Sequence, residues 1–338
     1  MFKKLSIAVV LLMVFSLVLA ACGQKAPDCT LEENFCVGLV TDVGEVDDKS
    51  FNQSIWEGVK LGGEETGGYV DYIETKDAKD YATNIGLFAD KGFDVIVTAG
   101  YALGDATREA AAKYPDIKFI GVDQLQEEEM ANVVGLGFPE WKAGFQAGAL
   151  AAMLTTTNKL AGVYGTDLAP AVVAFGEGYE DGAHYINPDI EIITTYHPGG
   201  FATGFTDPEW GGATTKQAIE QGADVIFAAG GKTGNGGLIE AANYDDVYCI
   251  GVDDDQWNTV PEAHKCLVSS SMKLITPAVA KLINDAKAGT MPTGNYKGEV
   301  GLAPFHDFDS SISQEIKDTL AQISADLLSD TIKYEDFR

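Results

Sequence analysis

Four charged side chains follow directly on apolar, β-rich runs of this sequence. Asp42, Asp123 and Asp253 each end such a run, and Lys273 ends a fourth. The carboxyl ends of parallel strands border the ligand cleft of α/β proteins, so we expect these side chains to lie close together. A carboxylate accepts hydrogen bonds from N–H groups or sugar hydroxyls, and an ammonium donates them. The set predicts a binding site for a small polar solute.

Two residues at the start of an expected helix could extend this site. Asn52 carries a donor and an acceptor, as recognition of a base or a sugar requires. Phe51 could stack on a ligand, although core packing is the commoner role for an aromatic residue before a helix. We interpret Asp47 and Asp48, just upstream, as turn or helix-capping residues.

The glycine-rich segment 230–237 contains Gly-Lys-Thr and so raises the question of phosphate binding. A P-loop needs a glycine five positions before Gly231, and Ile226 stands there. We instead expect the Gly230 backbone to approach a ligand closely, with a helix beginning after Gly236.

An enzymatic alternative starts from the segment 40–48, which is similar to the calcium loop DTDPGxDD of nucleoside hydrolases. Val40 replaces the first aspartate and the loop is one residue longer, so a metal would lose a carboxylate and its geometry. The expected strand ends support no Ser-His-Asp or Cys-His arrangement. We therefore predict no catalytic residues, no cofactor and no metal site.

The first residues predict the cellular location. Lys3 and Lys4 precede an apolar run over 5–21 that is too short for a comfortable membrane span and is typical of a signal peptide. The run ends in Leu-Ala-Ala-Cys-Gly, which resembles a bacterial lipobox with Cys22 as the lipidated residue. An ordinary signal peptide with a chance cysteine is the alternative. We expect a protein anchored by lipid on the extracytoplasmic face of the cell membrane, with a tether over 22–35.

Composition narrows the choice of partners and of covalent links. The formal charge of −28 excludes nucleic acid as a binding partner, and a content of 46% hydrophobic residues indicates a globular chain. An exported protein permits disulfides, so we hypothesise Cys29–Cys36 and Cys249–Cys266, with free thiols as the alternative.

The elements that must position these residues alternate along the chain as apolar strands and helices, which indicates parallel sheets covered on both faces. About ten strands suggest two lobes, and the halves echo each other: 94–100 resembles 224–230, and 120–123 resembles 250–253. Small residues at three- and four-residue spacing in the helix expected over 139–155 predict close packing on a sheet.

Several segments together resemble the basic membrane protein (BMP) family of ABC-transporter substrate-binding lipoproteins. They are 40–44, 47–53, 120–123, 172–175, 178–182, 205–208, 229–234, 251–256 and 270–273. The resemblance implies a type I periplasmic-binding-protein fold, α/β, with two doubly wound parallel-sheet lobes joined by a three-strand hinge. We expect lobe one over 36–133 plus 270–302 and lobe two over 134–269 plus 303–338, with crossings near 134, 269 and 303. Lys232 departs from the family's shorter glycine motif.

The resemblance also implies a ligand, a purine nucleoside such as adenosine, guanosine or inosine. The base would stack between Phe51 and an aromatic residue of lobe two. Phe205 would be that aromatic residue, with Phe201 and Phe175 as alternatives. Asn52 and Asp123 would bind the base edge, and Asp253, Lys273 and the Gly230 backbone would bind the ribose. Asp42 would be a further acceptor.

An ABC permease would be the protein partner, and a monomer is the default state. Two other interpretations stay open. A sugar receptor of the same fold is one, although only Arg108 and Arg338 supply the arginine that sugar sites favour, and neither lies in a motif. A surface lipoprotein used for adhesion is the other.

Overall fold

The computed structural model describes residues 26–338, which form two sheets of six strands. The first sheet has the order β11-β5-β4-β3-β1-β2 and is parallel throughout. Its strands are β1 (Cys36–Val43), β2 (Tyr69–Thr75), β3 (Val95–Ala99), β4 (Lys118–Val122), β5 (Val133–Gly137) and β11 (Gly294–Lys297). Apolar and β-branched residues dominate the central strands, as burial on both faces requires.

The second sheet repeats this plan, with the order β12-β10-β9-β8-β6-β7. Its strands are β6 (Lys159–Tyr164), β7 (Glu191–Tyr196), β8 (Val225–Ala229), β9 (Tyr248–Asp253), β10 (Leu267–Lys273) and β12 (Val300–Leu302). Only the edge strand β12 runs antiparallel, against β10. The two parallel-sheet lobes predicted from the sequence are therefore present.

Helices cover both faces of each sheet. They are α1 (Phe51–Thr66), α2 (Tyr81–Ala89), α3 (Gly104–Lys113), α4 (Glu140–Leu154), α5 (Pro170–Ile186), α6 (Gly200–Thr203), α7 (Pro208–Glu220), α8 (Gly231–Ala241), α9 (Gln256–Thr259), α10 (Ile275–Lys287) and α11 (Gln314–Leu328). Helix α5 was not among the elements expected from the sequence. Each sheet has an apolar core on both of its faces.

Helix α4 packs on strands β8, β10 and β12 of the second sheet, and its glycines in addition pack closely against helix α5, which the sequence did not predict. A Cβ atom at Gly144 would lie 2.2 Å from the backbone oxygen of Phe175, and one at Gly148 would lie 1.9 Å from that of Tyr179. Both acceptors belong to α5. The two helix backbones are therefore in contact, and α5 is held at the position where its amino-terminal end borders the cleft.

The chain changes sheet three times, each time a few residues away from the expected 134, 269 and 303. The crossings follow Gly137, follow Lys273, and fall between Lys297 and Val300. Strand β5 pairs with β4 along its length, so it belongs wholly to lobe one. The crossings lie side by side, because Gly298 N–H donates to the Gly137 carbonyl over 2.8 Å and Leu274 N–H to Glu299 over 2.9 Å.

Two disulfides join the cysteine pairs expected from the sequence, Cys29–Cys36 and Cys249–Cys266. The first ties residues 28–34, which form turns, to the start of β1. The segment expected as a tether is therefore folded onto lobe one from Cys29 onward. The predicted signal peptide and Cys22 lie outside the described residues. Within 26–338, no helix combines the length and the apolar character needed to cross a membrane.

Candidate functional site

A cleft lies between the two lobes, at the carboxyl ends of both sheets. Lobe one lines it with the ends of β1, β3 and β4, and lobe two with the ends of β8, β9 and β10 and the start of α5. About 650 Å³ of this cleft is free of protein atoms, part of it open to solvent. This volume suits a small-molecule ligand, and we call the space between the two lobes the slot.

A buried lysine occupies one end of the slot. The ammonium of Lys273 donates to Asp123 Oδ2 over 2.7 Å, and oxygens of Asp253 and Glu140 lie 3.7 Å away. Its side chain is 2% exposed. Burial lowers the pKa of Lys273, but the three carboxylates raise it by more, so the ammonium stays charged. We call these four residues the Lys273 cluster.

Aromatic rings surround the same ammonium. The Nζ atom of Lys273 lies 4.6 Å from the ring centre of Phe51, 5.4 Å from that of Phe138 and 5.8 Å from that of Phe175. These distances allow cation–π attraction. The rings also exclude water from the cluster, so polar groups there interact more strongly than they would in solution.

Burial makes ionisation costly for most carboxylates of the cleft. It raises the pKa of Asp42 to about 7 and that of Asp48 to about 6. It also raises the pKa of Glu140 to about 7 and shifts that of Asp253 upward, although Lys273 opposes both changes. The cleft thus favours ligand groups that donate hydrogen bonds to these oxygens.

Two buried acceptors among the residues that line the cleft, Asn52 Oδ1 and Asp123 Oδ1, have no partner among the described residues. The amide nitrogen of Asn52 donates to Asp42 Oδ1 over 3.0 Å, which turns the carbonyl oxygen the other way. An unpaired buried acceptor is unfavourable unless a ligand pairs it. The cleft is therefore prepared for a ligand that donates N–H or O–H groups.

Backbone geometry places the two strand-end aspartates in the same way in the two lobes. Asp123 follows β4 with φ 58°, and Asp253 ends β9 with φ 65°, both in the left-handed region that aspartate tolerates better than most residues. The residues before them are the sequence echo 120–123 and 250–253. The echo thus reflects a shared turn that directs a carboxylate into the slot from each side.

Apolar walls come mainly from lobe two. Phe205 packs over Gly165, where a Cβ atom would lie 2.4 Å from the ring. Phe175 is 2% exposed and its ring centre lies 6.2 Å from that of Phe227, so it forms the floor of the slot rather than a free surface. Phe201 and Phe205 both line the cleft, with ring centres 6.5 Å apart.

Direct contacts hold the lobes together around the loop 44–50 of lobe one. Ser50 Oγ donates to Asp253 Oδ2 over 2.8 Å, and Asn235 Nδ2 donates to the Asp48 carbonyl over 2.7 Å. The carbonyl of Lys49 accepts from Gln256 Nε2 and Thr259 Oγ1, each over 3.0 Å. Lys232 pairs with Glu45 and lies 3.8 Å from Asp47. We call these contacts the interlobe latch. They hold the two lobes in a closed arrangement over the cleft.

Residues 35–323 match the Bmp family model, described as ABC transporter substrate-binding protein PnrA-like. The chain belongs to this family. The match confirms the resemblance to the basic membrane protein family. This is a family of substrate-binding proteins of ABC transporters rather than of enzymes.

Three relatives are similar to the chain over most of its length. The chain is 30% identical to the ABC transporter nucleoside-binding protein BmpA of Lactococcus lactis, over 98% of each chain. It is 31% identical to basic membrane protein A of Borreliella burgdorferi, over 88% of this chain and 86% of that one. It is 34% identical to the CD4+ T-cell-stimulating antigen of Listeria monocytogenes, over 95% of each.

Solved structures support the type I periplasmic-binding-protein fold. An ABC transporter solute-binding protein from Aeropyrum pernix superposes with a TM-score of 0.78 at 23% identity, over 88% of this chain and 92% of that one. One from Conexibacter woesei gives 0.71 at 21% identity, over 90% and 99%.

All nine residues predicted to bind ligand in this Bmp chain line the one cleft. They are Asp42, Phe51, Asn52, Asp123, Phe175, Phe205, Gly230, Asp253 and Lys273. Their individual roles stay predictions. Asp48 acts as interpreted from the sequence: its carboxylate accepts from the N–H groups of Ser50, Asn52 and Gln53 and caps α1. It also lines the cleft, which the sequence interpretation did not include.

The glycine-rich segment is helical, which corrects the expectation of a loop up to Gly236. Helix α8 begins at Gly231. The glycines of α8 allow its backbone to lie in contact with α7. A Cβ atom at Gly236 would lie 2.1 Å from the Pro208 oxygen, and one at Gly211 would lie 1.9 Å from the Thr233 oxygen. Gly230 and Gly231 still line the cleft, at the start of the helix.

Two residues of the site were missed by sequence reasoning, and a third was named only as an alternative. Tyr101 lines the cleft just after β3, a strand-end position that could have suggested it. Phe201 was considered only as an alternative to Phe205. Glu140 begins α4, just after the first crossing, and contacts Lys273, and no local pattern marks it.

Proposed function

We propose that this substrate-binding protein captures a purine nucleoside in the interlobe cleft and delivers it to an ABC permease. The observation that carries the proposal is an aromatic ring beside a buried ammonium and carboxylates within one slot. Phe51 offers an aromatic surface, and the Nζ atom of Lys273 lies 4.6 Å from its ring centre. A nucleoside has a part for each kind of group, a flat base for the aromatic rings and a ribose with vicinal hydroxyls for the charged groups.

The polar groups support the same assignment. Asp253 accepts from ribose hydroxyls in our proposal, and Lys273 donates to the same sugar. Asn52 and Asp123 offer their unpaired oxygens to N–H groups of the base edge. A neutral ligand suits this cleft, because a phosphate would meet the four carboxylates that line it and a single ammonium.

A sugar without a base is the second candidate, since the Lys273 cluster alone would suit it. The apolar slot between the lobes favours the nucleoside, because a free sugar would leave the surfaces of Phe51 and Phe205 without a flat partner. The relative from Lactococcus lactis, named as nucleoside-binding, supports the same choice.

Thermal unfolding of residues 23–338 with nucleosides, free bases and simple sugars tests the proposal. A ligand at a hundred times its dissociation constant stabilises the folded state by about 2.7 kcal/mol, which is a shift of a few degrees. We expect inosine, guanosine or adenosine to produce it. The shift should disappear in Phe51→Ala and Asp253→Ala and persist in Asp189→Ala, which removes an exposed carboxylate of lobe two. A shift with sugars alone would reject the nucleoside.

We further propose that the protein acts as a monomer on the extracytoplasmic face of the cell membrane, anchored through an acylated Cys22. The lipobox-like residues support the anchor. In a bacterial host, Cys22→Ser should move the protein from the membrane fraction to the soluble or secreted fraction. An unchanged distribution would rule out lipid attachment at that residue.

A further inference from the structure

Two aromatic side chains meet across the mouth of the cleft from opposite lobes. Tyr101 follows β3 of lobe one, and Phe201 lies in α6 of lobe two. Their ring centres are 6.4 Å apart and their planes are inclined by 25°, a stacked arrangement. Both line the cleft, and Tyr101 is 53% exposed. The pair therefore lies at the boundary between the slot and the solvent.

The rings are too close to hold a base between them. A flat ring inserted between two others needs a separation of about 7 Å, twice the optimal carbon–carbon contact distance. A centre-to-centre distance of 6.4 Å is below that limit, and the perpendicular separation is no larger. Tyr101 and Phe201 thus contact each other in the closed protein and cover the slot rather than clamp a ligand.

The loop that carries Phe201 is fixed by a buried histidine. His197 is 6% exposed, and its Nδ1 accepts from Gly199 N–H over 2.9 Å, while Nε2 lies 3.3 Å from Asp207 Oδ2. Gly200 begins α6 with φ 56°, a conformation that favours glycine. Both ends of the loop are tied, so Phe201 is held in place before the lobes close.

We infer that Tyr101 and Phe201 form an aromatic gate that closes over the bound solute and slows its release. The inference rests on the proposed function and deepens it, because it assigns control of the ligand's dissociation rate to one residue from each lobe. Removing one ring opens an exit beside Phe205 and leaves the Lys273 cluster intact. The gate pair forms only when the lobes close, so association from the open state changes little.

Stopped-flow kinetics with the nucleoside that binds tests the gate. The interaction energy of a stacked aromatic pair corresponds to about a twofold to tenfold change in a rate constant. We therefore expect the nucleoside to dissociate faster by that factor from Tyr101→Ala and from Phe201→Ala. The association rate and the ligand-free melting temperature should stay near those of the parent. The double variant should dissociate no faster than the faster single variant. Leu168→Ala, an exposed residue near Gly200, is the control.

Equal dissociation rates in parent and variants would overturn the gate, and so would additive effects of the two substitutions. A second measurement needs no knowledge of the ligand. Tyr101→Cys combined with Phe201→Cys should be joined by a short bis-maleimide, since the other described cysteines are in disulfides. Glu45→Cys with Lys232→Cys, across the latch, is the matched pair. A gate pair that is not joined overturns the inference, whereas failure of every nucleoside to bind overturns only the proposed function.

Discussion

At the scale of single residues, the cleft depends on one ammonium that compensates several carboxylates. Lys273 is the only lysine or arginine among the residues that line the cleft in the described chain, and three carboxylates lie within 4 Å of it. A buried carboxylate without a cation is strongly unfavourable when ionised. Lys273 therefore stabilises the closed form as well as contacting a ligand in our proposal.

Replacing this lysine should make stability depend on pH. In Lys273→Met the carboxylates of Glu140 and Asp253 lose their cation, so their pKa values, which burial already raises, should rise further above those of the unfolded chain. Such groups contribute stability at low pH and lose it as the pH rises through the folded pKa, which is about 7 for Glu140 even with the lysine present. We expect a loss of about 3 kcal/mol at pH 8 and a clearly smaller loss at pH 5.

Urea unfolding at the two pH values measures this difference. Lys216→Met, at an exposed position of α7, serves as the control and should change little at either pH. An equal loss at pH 5 and pH 8 would contradict the role of Lys273 as the counter-ion of buried carboxylates and would indicate a loss of packing instead.

At the scale of elements, glycines set how closely the helices of lobe two approach. Gly148 of α4 has no room for a side chain, because a Cβ atom would lie 1.9 Å from the Tyr179 oxygen on α5. Helix α5 begins with residues that line the cleft, Ala171, Val172 and Phe175. The spacing of these two helices thus determines where that wall of the site stands.

Alanine substitutions at two helical glycines should therefore change the free energy of unfolding in opposite directions. Gly148→Ala should destabilise the protein by about 1–3 kcal/mol, since α4 and α5 must separate. Gly86→Ala, in α2, meets nothing within 4 Å and should stabilise it by about 0.5–1 kcal/mol. Chemical denaturation of the two variants measures both changes. A destabilised Gly86→Ala or a neutral Gly148→Ala would contradict the packing described here.

At the scale of the whole molecule, the interlobe latch controls the balance between open and closed forms. Its buried members join backbone carbonyls of loop 44–50 to side chains of α8 and α9. Lys232, the residue that departs from the family motif, adds an ion pair with Glu45 at the exposed edge. Exposed ion pairs contribute little individually and weaken in salt, so this contact adjusts closure rather than enforces it.

Lys232→Met should weaken ligand binding by up to about fivefold at low ionic strength, because the closed form loses an attraction that the open form lacks. The difference should shrink at 0.5 M NaCl. Titration calorimetry at two salt concentrations measures it. Lys265→Met is the matched control, since Lys265 pairs with Asp245 within lobe two over 2.7 Å and should leave affinity unchanged. A salt-independent effect of Lys232→Met would contradict an electrostatic latch.

The sequence by itself determined the features that depend on local pattern. Apolar runs alternating with helical segments indicate two parallel sheets, and charged residues at the ends of those runs indicate a site at the strand ends. Asp42, Asp123, Asp253 and Lys273 were found in this way, and all line the cleft. The cysteine pairs were also within reach, because the two members of each pair are close in the chain, 7 and 17 residues apart.

Only the tertiary structure decided the contacts between distant segments. Glu140 meets Lys273 because α4 packs beside β10 within lobe two, and Tyr101 meets Phe201 because the two lobes close on each other. No local periodicity records either approach. The helical state of the glycine-rich segment depends on its contact with α7, against the intrinsic preference of glycine. The crossing points follow whole-strand pairing, which hydrogen bonds between strands set and the chain alone does not show.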